Sequence, residues 1–201
     1  MCDVGIVMVI YNSASKLGKF FNKVLESLMS LDVEGLNVKI VIVDNASRDN
    51  TVNLVRSFLN SKGINAEIVN MKRNTGLPAG YNYGAVKAKD CKYLMFLNDD
   101  VILSKNTLKA LVKTFEGEIY GAVQPLIVHL DGYLEHGFDV GLSGAVLPTI
   151  KPLVKGINER AVIAGCCLMT PSTTFFKAGM FRGELFWGYD DADYCWRVHA
   201  L

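Results

Sequence analysis

The chain has 201 residues, half of them hydrophobic, and a formal charge of +1. That suffices to bury one substantial core as a single domain, and it gives no electrostatic case for nucleic acid. No apolar run is long enough to span a bilayer, and the N-terminus, Met1-Cys2-Asp3-Val4, lacks the basic leader of a secretory signal. The five cysteines (Cys2, Cys91, Cys166, Cys167 and Cys195) are odd in number and show no C-x-x-C spacing. This pattern reads as reduced thiols in a cytoplasmic setting.

In chain order, strand patterns alternate with helix patterns. Residues 4–11 (VGIVMVIY) are a continuous apolar run suited to a strand covered on both faces. Leu17, Phe20, Phe21, Val24, Leu25 and Leu28 then repeat at helical spacing. Residues 38–43 form a second buried strand ending in Asp44-Asn45. Ser47 and Asp49 are N-cap candidates for a helix carrying Val52, Val55, Phe58 and Leu59. Residues 66–69 are a weaker strand leading to Lys72-Arg73-Asn74-Thr75-Gly76. Pro78 suits the first turn of a short helix. Residues 93–97 (YLMFL) are a strand that ends abruptly in Asn98-Asp99-Asp100, and Leu108, Leu111, Val112 and Phe115 mark a further helix. Residues 132–156, with Gly137, Gly141, Gly144, Pro148 and Pro152, show no period and suit a functional lid or disorder. Trp196 and Cys195 read as core, and His129, His136 and His199 as surface or satisfied histidines.

This order predicts an α/β fold with a single, mostly parallel, doubly wound sheet flanked by helices. The polar clusters Tyr11-Asn12, Asp44-Asn45, Arg73-Asn74 and Asn98-Asp99-Asp100 all follow strands, so a parallel sheet brings them to one edge, where open α/β folds bind ligands. No G-x-G-x-x-G follows the first strand, and no phosphate-binding G-x-x-x-x-G-K-[ST] loop occurs. A hard divalent cation at the carboxylates of residues 98–100 would neutralise phosphate instead. An ionised Asp44 accepts hydrogen bonds and suits a base or ribose. Asp190 and Asp191 are either catalytic carboxylates or caps of a helix over residues 192–200.

Four segments carry a resemblance to a known family. Val43-Asp44-Asn45-Ala46-Ser47-Arg48-Asp49-Asn50-Thr51 resembles the V-D-N-x-S-x-D-x-T segment of family 2 glycosyltransferases with the GT-A fold. Asn74-Thr75-Gly76-Leu77-Pro78-Ala79-Gly80-Tyr81-Asn82-Tyr83-Gly84 resembles their N-x-G-x-x-x-G-x-N-x-G segment. Residues 96–100 resemble the L-N-x-D form of the D-x-D metal motif, and residues 186–197 the F-x-x-Y-E-D-x-D-L-C-x-R acceptor-side motif. The likeness is strongest to the rhamnosyl- and galactofuranosyl-transferase-like branch.

The resemblance implies an inverting transfer of a sugar from a nucleotide-diphosphate donor to a hydroxyl, in cell-surface polysaccharide biosynthesis. It implies nucleotide-sugar binding by Tyr11, Asn12, Asp44, Asn45, Arg73, Asn74, Gly76, Asn82, Asn98 and Asp99. Mg2+ or Mn2+ would sit on Asp100, with Asp99 second, because Asn98 replaces the first carboxylate of the motif. Asp191 is the implied base and Asp190 its alternative, with Trp187, Tyr189 and Asp193 toward the acceptor, a glycan or lipid-linked molecule. Gly165-Cys166-Cys167-Leu168-Met169 resembles the small-residue strand beneath the acceptor site. Residues 1–103 would be the nucleotide-sugar half and 104–201 the acceptor half, cut short at the C-terminus because family members usually continue. The protein would be cytoplasmic, with peripheral contact at the cytoplasmic face of the membrane left open. A sugar-nucleotide pyrophosphorylase would want a G-x-G-T-R-L-like loop, absent here. A non-catalytic sugar-nucleotide or glycan-binding module is the alternative without activity.

Overall fold

In the computed structural model, which describes residues 1–141, 145–149 and 152–201, the apolar run at the N-terminus is strand β1 (Cys2–Ile10), buried from Val4 onward. Successive side chains of a strand point to opposite faces, and β1 divides the core accordingly. Val4, Ile6, Met8 and Ile10 pack on one face and Val7 and Val9 on the other. A strand apolar at every position from Val4 onward must be covered on both sides, and it is.

The central sheet takes the order β3 (Ala66–Asn70), β2 (Val38–Asp44), β1, β4 (Cys91–Asn98), β9 (Cys167–Pro171). Its strands β2, β3 and β4 run parallel to β1, and β9 pairs antiparallel with β4. Helices α2 (Lys19–Met29), α3 (Thr51–Lys62) and α5 (Thr107–Thr114) cover one face through Phe21, Leu25, Val55 and Leu108. Helices α4 (Leu77–Lys87), α6 (Ser172–Lys177) and α7 (Asp190–His199) cover the other through Tyr81, Phe175 and Tyr194. Phe96 of β4 lies centrally on that second face, within 5.1 Å ring-to-ring of Tyr81, Phe175 and Phe181. This is the doubly wound architecture expected from the alternation of patterns.

Helix α4 lies unusually close to the sheet. Gly80 and Gly84 face Val9 and Val7, and a Cβ at Gly84 would strike the Val7 side chain. The close approach carries the N-terminus of α4, with Gly76 before it, to the strand-end edge.

Several local expectations are corrected. The helix pattern containing Leu17 is split into α1 (Ser13–Leu17) and α2 at Gly18, whose φ of +54° breaks the spiral. Helix α7 begins at Asp190, so Asp190 and Asp191 are its first residues and not its caps. Neither Ser47 nor Asp49 is the N-cap of α3. Asn50 holds that position, although Asp49 accepts the Thr51 N–H (3.0 Å). Trp196 is 65% exposed, because its neighbour Cys195 takes the inward side of α7. Within residues 132–156 the chain forms parts of two small antiparallel sheets, β5 (Ile127–Val128) with β6 (Leu134–Glu135) and β7 (Phe138–Val140) with β8 (Val146–Pro148). Gly144 lies outside the described residues.

The cysteine reading fails for two of the five. Cys2 and Cys91 are a disulfide, because parallel pairing of β1 with β4 sets them opposite one another with Cα atoms 4.3 Å apart. They lie 89 residues apart in sequence, so spacing alone gave no sign of it. Cys166, Cys167 and Cys195 are free thiols.

Candidate active site

The parallel register sets Ile10 beside Asp44 and Val9 beside Asn98, so the expected polar clusters share the C-terminal edge of the sheet. A cavity of about 400 Å3 opens there among Tyr11, Asp44, Arg48, Lys72, Arg73 and Asn74. Asp44 is buried and accepts the Ser47 N–H (3.0 Å). Asn12 locks the neighbouring turns. Its N–H donates to Ser47 Oγ (2.9 Å), and its Oδ1 accepts the Arg48 N–H (2.8 Å). The Lys16 ammonium lies over the Tyr11 ring at 4.5 Å. The mouth of this cavity thus carries Arg48, Lys72 and Arg73 around one buried carboxylate, a composition suited to a base at depth and phosphate at the rim.

Some expected ligand contacts are spent on the protein itself. The buried Asn45 donates from Nδ2 to Asn74 Oδ1 (2.9 Å) and to the Gly76 carbonyl (3.1 Å), and its Oδ1 accepts the Thr75 N–H (2.9 Å). Asn82 makes a reciprocal pair with the backbone of Phe181, at 2.8 and 3.0 Å. Both asparagines shape the edge and have little left for a ligand.

At the end of β4 the three polar residues separate in role. Asn98 Oδ1 accepts the hydroxyl of the buried Tyr81 at 2.6 Å. Asp99 is half-buried and takes the hydroxyl of the fully buried Ser13, tying the end of β4 to the start of α1. Burial raises the Asp99 carboxyl above its ordinary range, the Asp100 charge adds to that, and the Ser13 bond opposes it. Asp100 is exposed at the edge. Among the described residues no three His, Cys, Asp or Glu side chains gather to hold a metal. The residues present nonetheless fit a cation of the kind bound by one or two carboxylates together with substrate phosphates. Asp100 would be its principal protein ligand.

Beyond β4, Gly165 and Cys166 link the end of that strand to α7. The Asn98 N–H donates to the Cys166 carbonyl (2.9 Å), and the Gly165 N–H donates to Asp191 Oδ2 (3.0 Å). Asp191 Oδ1 accepts the Ala192 N–H (2.8 Å), so both its oxygens are oriented by backbone. A Cβ at Gly165 would lie 3.2 Å from Asp191 Cβ, so a larger residue there would push the Asp191 side chain by a few tenths of an ångström. Asp190 beside it is buried, and burial together with the Asp191 charge pushes its carboxyl up to about 6. Burial pushes the Cys166 thiol up to about 12, with Glu135, Asp100 and Asp191 adding to the effect. It is therefore a neutral lining group. Asp193 is turned away, held by Arg182 (3.2 Å) and Arg197 (2.7 Å). Trp187 and Tyr189 stand 80% and 73% exposed in front of Asp191 in sequence. A larger groove of about 620 Å3 lies by Trp196, Val140 and His199. It lacks the convergent polar groups of the strand-end edge, so the smaller cavity is the better candidate site.

Residues 5–170 match the model of glycosyl transferase family 2. The chain belongs to that family. Poly(ribitol-phosphate) beta-N-acetylglucosaminyltransferase TarS of Staphylococcus aureus (strain Mu50 / ATCC 700699) is 27% identical over 109 residues, 54% of this chain but 18% of that protein. Among solved structures, GalNAc-T7 with UDP, GalNAc and Mn2+ overlays with a TM-score of 0.78 at 19% identity, over 98% of this chain and 40% of its own. The mannosyltransferase PcManGT of Pyrobaculum calidifontis, in complex with GDP-Man and Mn2+, gives 0.69 at 16% identity, over 94% and 49%. These overlays show the GT-A fold, and this chain spans about half or less of each of these proteins.

Within this family fold, sequence reasoning passed over Ser13, Tyr81, Arg48 and Lys72. The first two sit in an apolar or small-residue context that reads as core, and only the fold reveals what their hydroxyls touch. Arg48 and Lys72 lay inside quoted segments, as cations next to polar clusters, and that adjacency was the available signal. Gly165 was read only within the small-residue strand, and its bond to Asp191 appears only in the fold.

Proposed function

We propose that this chain transfers a sugar from a nucleoside-diphosphate sugar to an acceptor hydroxyl of a cell-surface glycopolymer, glycan or lipid-linked, with inversion and with Mg2+ or Mn2+. One observation carries the reading. The base-sized cavity at Asp44, the exposed Asp100 and the backbone-oriented Asp191 follow one another along the strand-end edge and the β9 start that closes it. Residues 1–103 supply the donor half and 104–201 the acceptor half. The UDP bound to GalNAc-T7 and the GDP-Man bound to PcManGT favour UDP donors first and GDP donors second.

In this reading Asp44 receives N–H groups of the base or ribose hydroxyls, and Arg73 with Lys72 meets phosphate. Asp100 would hold a cation, which would supply charge neutralisation for the leaving diphosphate. Asp191, its carboxylate fixed by Gly165 and Ala192, takes the proton of the attacking hydroxyl. Trp187 and Tyr189 offer faces for sugar stacking in front of it. No helix among the described residues is long and apolar enough to cross a membrane. A lipid-linked acceptor would hold the protein peripherally at the cytoplasmic face.

The test is calorimetry and turnover with UDP-, GDP- and dTDP-sugars in the presence of Mn2+. At least one should bind and release its nucleoside diphosphate. Asp100→Ala should lose metal-dependent binding with little change in melting temperature, since it removes an exposed carboxylate beside Asp99. Binding of none of the three overturns the reading, and an Asp100→Ala variant of full affinity removes Asp100 from it. Binding without transfer or hydrolysis would leave a non-catalytic module.

A further inference from the structure

We propose that Tyr81 is a positioning residue that turns the Asn98 side chain. The amide N–H2 group, not the carbonyl oxygen, then faces the donor edge and hydrogen-bonds the oxygens of a bound nucleoside diphosphate. This rests on the functional reading above and refines it at the metal motif.

Tyr81 sits on α4 beneath the end of β4, 1% exposed and walled by the rings of Phe96 and Phe181. A hydroxyl buried in such a place must donate, or the unmade bond costs free energy. Among the described residues its one acceptor is Asn98 Oδ1, at 2.6 Å. The hydroxyl does not give up its proton there, since burial and the nearby Asp190, Cys166 and Asp99 raise its pKa well above the usual phenol value. An asparagine amide has one acceptor oxygen and one donor nitrogen. With the oxygen engaged inward, Nδ2 makes no hydrogen bond among the described residues, and no buried side-chain nitrogen or oxygen is left unpartnered. Nδ2 therefore reaches solvent at the strand-end edge. The Asn98 backbone is equally fixed, through its N–H to the Cys166 carbonyl.

An amide N–H2 cannot ligate a cation, but it suits phosphate or sugar oxygens. Of the three residues of the motif, Asn98 thus presents a donor, Asp99 is engaged by Ser13, and Asp100 alone offers an unengaged carboxylate. A cation held by one carboxylate binds weakly until the diphosphate adds its own oxygens. Metal and nucleotide should therefore enter as one unit.

The test uses two isosteric variants, Tyr81→Phe and Asn98→Asp, with calorimetric titrations of Mn2+ alone and of UDP, GDP and dTDP with and without Mn2+. Far-UV circular dichroism checks the fold. The unmodified chain should bind Mn2+ alone weakly and the Mn2+–nucleotide pair much more tightly. Asn98→Asp should raise affinity for Mn2+ alone about tenfold and lower that for metal-free nucleotide, because it exchanges an outward donor for a carboxylate. Tyr81→Phe frees the amide to rotate and should weaken nucleotide binding several-fold without weakening Mn2+ alone. These opposite signs separate positioning from a merely structural role, which would lower all affinities together. Unchanged Mn2+ affinity in Asn98→Asp, or unchanged nucleotide affinity in Tyr81→Phe, overturns the assignment while leaving the functional reading intact. No binding of any of the three nucleotides by the unmodified chain overturns both.

Discussion

Asp190 and Asp191 are adjacent carboxylates with different surroundings. Asp191 is partly exposed, with each oxygen taking one backbone N–H, whereas Asp190 is 6% exposed and its carboxyl is pushed up to about 6. Asp191→Asn keeps the shape but cannot accept the hydroxyl proton. Turnover should fall ~10²-fold or more with donor affinity retained. If Asp190→Asn were the inactive variant instead, the assignment of the two would have to be exchanged. For Asp190 the pH dependence of stability is also informative. Its folded pKa lies above the ordinary 3.8 of the unfolded chain, so the folded state holds the proton more tightly. The cost of ionising it in place therefore grows as pH rises from about 4 to about 6, and it is fully present above that. Asp190→Asn should accordingly stabilise the metal-free protein at pH 7.5, by up to about 3 kcal/mol, and change little at pH 4. Thermal melts across that window decide it, and a stabilisation independent of pH would contradict the burial argument.

At the scale of elements, the start of α4 is tied to the segment before α7 by a backbone contact. The Leu77 N–H at the start of α4 donates to the Phe186 carbonyl (2.8 Å), and Gly76, at a φ of +85°, lies against Phe186 so closely that a Cβ would stand 2.6 Å from the Phe186 Cα. Phe186 and Tyr189 both hold positive φ, a costly state that persists only where surrounding contacts impose it. Gly76→Ala should drive this loop off α4. Stability should fall by at least ~2 kcal/mol and transfer more than donor binding, and an unchanged melting temperature would refute the latch. The four parallel strands and most of the helices were legible because a sheet buried on both faces leaves continuous apolar runs, and helices leave a 3.6-residue stripe. The polar strand ends were legible for the same reason, since β1, β2 and β4 stop where hydrophobicity stops. What escaped depends on contacts distant in sequence. Asn45 and Asn82 read as ligand-facing, but their bonds go to residues 74–76 and 181. Trp196 read as core although its side of α7 is uncovered. The two small sheets escaped because their described strands span two or three residues, too short to show a period.

Over the whole molecule, the sheet separates a stabilising cross-link from the candidate site. The Cys2–Cys91 bridge ties the N-terminal ends of β1 and β4, while Asp44, Asn98 and Asp100 lie at or just beyond the C-terminal ends of their strands. Strand β1 is nine residues long, so roughly 25–30 Å of sheet stands between bridge and site. The bridge spans 89 residues of sequence, enclosing all of β1, β2 and β3 and the helices between them. On the chain-entropy account, closing a loop of that length in the unfolded state is worth about 4–5 kcal/mol, an upper figure because the reduced chain keeps residual structure. The site needs none of this, since its geometry comes from strand register, from the hydroxyls of Ser13 and Tyr81, and from the backbone of residues 165–166. Cys2→Ser with Cys91→Ser should therefore lower the melting temperature markedly while leaving the affinity for the Mn2+–nucleotide pair within about twofold at a temperature where the variant is folded. A variant that melts like the parent would show that the bridge contributes nothing to stability. A folded variant with weakened nucleotide binding would show that the strand-end edge depends on its opposite end, against the separation argued here.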